Sequence, residues 1–196
     1  MEVLLSVCLG FGLSAACGFR IFVPFLIMSI ASRAGHLDLA NSFDWIAGDA
    51  ALITFAVAAA LEIGAYFVPW VDNLLDSAAT PTAVVAGVLA SAATIDGTSP
   101  LVGWTLAIVG GGGIAGLIQG GTALLRGASS VMTAGFGNPI VSSAEAGGAV
   151  TLASLAILVP LIAAMFALTV VLAVATRTVR ALGGHRPAIA VAEPPG

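Results

Sequence analysis

Four ionised side chains, Arg20, Glu62, Arg126 and Glu145, lie within or against apolar runs, and Asp72 and Asp76 follow one such run directly. A charge at bilayer depth costs at least about 2.5–3.5 kcal/mol on insertion scales, so it persists where a partner, water or a function balances that cost. Glu62 falls about 18 Å along the apolar span that starts at Ala50, at 1.5 Å per residue, well inside a hydrocarbon core of about 30 Å. Asp72 and Asp76 are four residues apart, so a helix there points both carboxylates one way, with Asn73 beside them. Two like charges on one face repel unless a cation, a proton or an arginine comes between them, and Arg20 and Arg126 are the candidates. In this reading Glu62 and the aspartates are cation or proton sites. Arg20 and a helix start at Asn138-Pro139 present positive ends to an anion.

The structural alternative is that these charges pair with one another and only hold a small bundle together. Hydrolytic chemistry fits poorly. No histidine lies in any apolar segment, so a serine or cysteine nucleophile lacks its usual base, and the expectation is a protein that is not an enzyme. Asp72 and Asp76 recruiting a divalent metal for lipid chemistry is the least favoured alternative. Two cysteines and two histidines make no recognisable metal-ligand pattern, and no metal or cofactor is expected. Cys8 and Cys17 read as small buried apolar residues.

The elements that must carry these charges are membrane helices. Of 196 residues 59% are hydrophobic and 8% charged, with a mean hydropathy of +1.11, against roughly 25% charged in a soluble domain. The six basic residues are all arginine, against ten acids, so no basic surface for nucleic acid exists. The run from Val3 to Ala31 is longer than one span and is broken by Gly18, Arg20 and Pro24. It reads as two helical pieces, or one kinked helix, meeting near Arg20. A polar loop from Ser32 to Asp49 follows, with Trp45 suited to the membrane interface. Further spans cover Ala50 to Val68, Thr80-Pro81 to about Ile95, and Ser99-Pro100 to about Leu125. The last, Ala149 to Val179, is interrupted by Pro160. Thr80-Pro81, Ser99-Pro100 and Asn138-Pro139 each set a capping side chain before a proline, a signature of helix starts.

Arg177, Arg180 and Arg186 after the last span predict a cytoplasmic C-terminus, and Arg33 places the Ser32–Asp49 loop on the same side. Gly112, Gly116 and Gly120 share a helical face that lets backbones approach closely, within the monomer or in a homo-oligomer. A faint echo relates Gly18-Phe19-Arg20 with Pro24 to Gly135-Phe136-Gly137-Asn138-Pro139, as two related halves with broken helices would.

With Gly18-Phe19-Arg20 and Pro24, Glu62-Ile63-Gly64, Pro69 with Val71-Asp72 and Leu75-Asp76, and Gly137-Asn138-Pro139 with Ser142 and Glu145, the chain resembles a functionally uncharacterised family of small bacterial and plant membrane proteins, catalogued as a domain of unknown function. The resemblance extends over about residues 10 to 170. Two positions depart from the family pattern: Tyr66-Phe67 replaces an Asp-Lys pair, and Ala146 replaces an acid after Glu145. The resemblance implies no activity.

The expected fold is all-α: one integral membrane domain over residues 1–180 with five or six crossings and at least one broken helix, then a disordered tail over 181–196. The expected function is a plasma-membrane transporter or channel for an ion or small solute. Its pathway residues would be Arg20, Glu62, Asp72, Asn73, Asp76, Arg126, Asn138 and Glu145. A non-transporting scaffold or accessory subunit is the alternative.

Overall fold

The computed structural model describes residues 1–65, 69–133 and 136–183, and of 69–77, 178 and 180–183 it describes the backbone path alone. The side chains of Asp72, Asn73 and Asp76, and the tail beyond Gly183, therefore lie outside the described residues. The chain forms α1 (Glu2–Phe19), α2 (Phe22–Arg33), a 3-10 helix (Asn41–Ala47), α3 (Asp49–Ala65), α4 (Pro69–Thr94), α5 (Pro100–Thr105), a π-helical stretch (Leu106–Gly112), α6 (Gly113–Thr133), α7 (Asn138–Leu158) and α8 (Pro160–Gly183).

Glu2–Phe19, Pro100–Thr133, Asn138–Leu158 and Pro160–Arg177 are each long and apolar enough to cross a bilayer, and the 3-10 helix with α3, bent by 66°, makes a fifth such unit. α4 has 26 residues, of which Ala78–Thr94 form a shorter apolar helix. The chain is thus a multi-pass helical membrane protein.

α1 is the central helix. Its Leu13, Ala15, Ala16 and Cys17 are buried in the main apolar core with Ala90 of α4, Ala115 and Ile118 of α6, Ala156 of α7 and Ala163 of α8. α1 runs antiparallel to α4: Ser6 donates to the Asp96 carbonyl at 3.5 Å, and Ser14 donates to the Gly87 carbonyl at 2.7 Å and pairs with Ser91 at 2.8 Å. α2, by contrast, runs in the same direction as α4, across a cavity whose lining includes Ile21, Phe22, Phe25, Thr82, Ala86 and Leu89. The loop after α2 then returns to the end of α4, where the Ala40 amide donates to the Ala93 carbonyl at 2.9 Å.

The first apolar run is therefore two helices, as its breaks predict, folded into a hairpin with its tip at Arg20-Ile21. The 18 residues of α1 span about 27 Å at 1.5 Å per residue and the 12 of α2 about 18 Å, so the two arms are unequal in length.

The Ser32–Asp49 loop packs against the end of α4 beside the start of α1, whereas α8 passes Gly121 at Val174 near the far end of α1. Arg33 is held at its own face by Asp49 at 2.6 Å and by the Ala47 carbonyl at 3.0 Å.

Two expected helix starts also shift. Ser99 does cap α5, its Oγ accepting from Val102 N at 3.5 Å with Pro100 in the first turn. Thr80-Pro81 begins nothing, because α4 starts at Pro69 and carries Pro81 inside it. Proline is tolerated within a membrane helix when hydroxyls and neighbours re-satisfy the freed backbone, and Thr82 donates to the Ala78 carbonyl at 2.6 Å. The helix begun at Ser99-Pro100 runs on past Leu125 to Thr133.

The glycine-rich stretch serves packing inside the chain. Where the π-helical stretch crosses α4, a Cβ on Gly111 would lie 2.7 Å from the Gly87 carbonyl oxygen and 2.8 Å from Ser91 Cβ. Gly112 and Gly116 face Val84 and Val88 of α4 in the same way, while Gly120 faces open space. Gly111→Ala is expected to cost about 1–3 kcal/mol by overpacking, read as a lower melting temperature of the purified protein in detergent. Gly120→Ala should leave it unchanged or slightly raised.

Candidate functional site: a buried charge cluster at the hairpin tip

α1 ends because Arg20 turns extended, at φ −145° and ψ 132°, its amide bonded to the Ala16 carbonyl. The turn drops the Arg20 side chain among α6 and α7, where it is 1% exposed. One guanidinium nitrogen, Nη2, donates to the Ser142 carbonyl at 2.9 Å and to Ser142 Oγ. The same nitrogen lies 3.2 Å from Glu145 Oε2. Arg126 reaches that same oxygen at 3.5 Å, so one carboxylate oxygen serves two guanidinium groups. Both partners are as deeply buried as Arg20, with Arg126 2% and Glu145 4% exposed.

Ser142 and Glu145 are brought here by the second break in the chain. α7 begins after Gly137, whose amide donates to Thr133 Oγ1 at 2.8 Å. Asn138 is thus the first residue inside α7 and not its cap. Its Nδ2 donates back to Ser130 Oγ at 2.9 Å. The reason is local: Gly137 takes the turn, so the asparagine amide is free to tie the end of α6 to the start of α7.

Gln119 completes the cluster. With its amide oriented to satisfy both neighbours, it donates to the Gly18 carbonyl at 2.8 Å and accepts from Arg126 Nη2 at 3.1 Å. Gly18 is one of the last residues of α1, whose final carbonyls lack intrahelical partners. Gln119, Thr122 and Arg126 stand at i, i+3 and i+7 on the buried face of α6. That spacing, in an otherwise apolar run, is the signal that could have added Gln119 to the candidate residues.

Glu62 sits on the other side of the tip. Its Oε1 accepts from the Ile21 amide at 2.7 Å and its Oε2 from the Phe22 amide at 3.0 Å. Both carboxylate oxygens are thereby spent on the N-terminus of α2, where backbone donors lack partners and the helix dipole favours negative charge. Pro24, in the same first turn, has no N–H to satisfy. Glu62 also lies within the field of Arg20 and Arg126.

Of the sequence-predicted residues, Arg20, Arg126 and Glu145 meet directly, Glu62 stands across the hairpin tip, and Asn138 ties α6 to α7. Beside Glu62 is a cavity of about 370 Å³ lined by Ile21, Phe22, Leu61, Ala79 and Thr82 among others, almost wholly apolar. Among the described residues no group of three histidine, cysteine or acidic side chains is placed to hold a metal ion.

The fold and site define a class: a small polytopic helical membrane protein with a helical hairpin and charges gathered at its tip. A family model described as Domain of unknown function (DUF4126) matches residues 7–180, and the chain belongs to that family. Comparison with curated proteins and with solved structures finds no match.

Proposed function

We propose that the protein is a plasma-membrane transporter or channel for an ion or small solute, with its site at the tip of the α1–α2 hairpin. The observation that carries this reading is the coincidence, inside the helical bundle, of two helix breaks with Arg20, Glu62, Arg126 and Glu145. Discontinuous helices whose ends meet at the midplane are how membrane transporters present backbone dipoles to charged solutes. Asp72, Asn73 and Asp76 belong to the proposal through the sequence alone. No catalytic step or cofactor enters it.

The C-terminal face is assigned to the cytoplasm, because Arg177 and Arg180 in the last turns of α8 and Arg186 beyond it gather there, while Arg33 stands alone at the other face. A homo-oligomer also belongs to the proposal. Gly112 and Gly116 being taken up by α4, a second copy would meet this helix at Gly120 and the exposed Leu117 and Leu124.

The test is flux into proteoliposomes, surveyed over inorganic ions and small organic acids and amines. Glu62→Gln and Arg20→Lys, both close in shape to the native side chains, are expected to lower flux at least tenfold while the protein still elutes as a folded species. A survey with no flux for the native protein would overturn the reading.

The second reading is a non-transporting scaffold. The sharing of one Glu145 oxygen by two arginines favours it, because that arrangement could serve only to lock α1, α6 and α7 together.

A further inference from the structure

A groove of about 280 Å³ lies between α6 and α8, on the flank of the charge cluster. Phe19, Ile118, Gly121, Leu125, Val170 and Val174 are among its lining residues, with Arg177. The end at Phe19 is level with the hairpin tip. Seven residues separate Val170 from Arg177 on α8, about 10 Å along the axis, long enough to take part of an acyl chain.

Arg177 is exposed, and no ion pair joins it to a described acid. An arginine at the membrane surface above an apolar slot is complementary to an anionic headgroup with a chain attached.

We propose that this groove is a binding site for one anionic phospholipid of the C-terminal-side leaflet, an acyl chain lying between α6 and α8 and the phosphate on Arg177. The site rests on its own residues and not on the transport reading.

The test is native mass spectrometry of the full chain in detergent, titrated with phosphatidylglycerol or with phosphatidylcholine of identical chains. The native protein is expected to retain one phosphatidylglycerol at least fivefold more tightly than phosphatidylcholine. Arg177→Gln should abolish the preference, and Arg177→Lys should keep most of it. Leu125→Trp, which obstructs the groove from its exposed rim, should weaken both lipids without altering the elution of the folded protein. Equal retention of the two lipids by the native protein would overturn the proposal, as would a preference that survives Arg177→Gln. Binding of phosphatidylglycerol undiminished by Leu125→Trp would place the lipid elsewhere and overturn it too.

Discussion

Replacing Glu145 with glutamine is expected to destabilise the folded protein in detergent by about 3–5 kcal/mol, the range for removing one partner of a buried charge pair. The reason lies in the sharing: Glu145 Oε2 lies 3.2 Å from Arg20 and 3.5 Å from Arg126, so one substitution removes the carboxylate from two buried guanidinium groups. A glutamine amide returns an acceptor but no charge, and turns its NH2 toward donors. Thermal melting followed by circular dichroism would read the loss. Glu145→Gln combined with Arg126→Met should recover part of it, because one of the two stranded cations is then gone and its volume is kept apolar. If the double variant melts lower than the single one, the shared carboxylate is not what holds these helices together.

The second large effect is at Glu62. Glu62→Ala leaves the Ile21 and Phe22 amides without their acceptor inside the helical bundle, where an unsatisfied backbone group costs several kcal/mol. Its loss should unravel the first turn of α2 and loosen α3 from the hairpin. Hydrogen–deuterium exchange at Ile21 and Phe22 should rise by orders of magnitude in Glu62→Ala, and modestly in Glu62→Gln, which keeps one acceptor oxygen. Unchanged exchange in Glu62→Ala would show that the cap is dispensable. A protein that keeps its exchange pattern in Glu62→Gln yet loses flux would separate a role in transport from a role in folding.

Much of the fold could be read from the chain. Gly18, Arg20 and Pro24 mark the break between α1 and α2, Ser99-Pro100 opens α5, and Pro160 opens α8. The composition alone places the chain in a membrane, and the ionised residues within apolar runs are the ones found at the hairpin tip. The direction of α2 could not be read. Whether a chain continues or doubles back after Arg20 is decided by what lies beside it, here α3 and α7, and neither helix encodes that alone. Thr80-Pro81 misled because a cap-proline pair has the same appearance at a helix start and at a tolerated interior proline. Gln119 was missed because a lone amide draws less notice than a charge, although it joins α1 to Arg126.

The contact between Arg20 and Ser142 also sets a clock. The two residues are 122 positions apart, so at roughly 5–20 residues per second of synthesis Arg20 leaves the ribosome about 6–25 s before its partner. Glu62, 41 residues after Ile21, arrives much sooner. During that interval the hairpin holds Arg20 without Ser142 and Glu145, so its tip is expected to settle at its final depth only when α7 arrives. Biogenesis of this small protein would then run partly backwards, with its central helix among the last to reach its final depth.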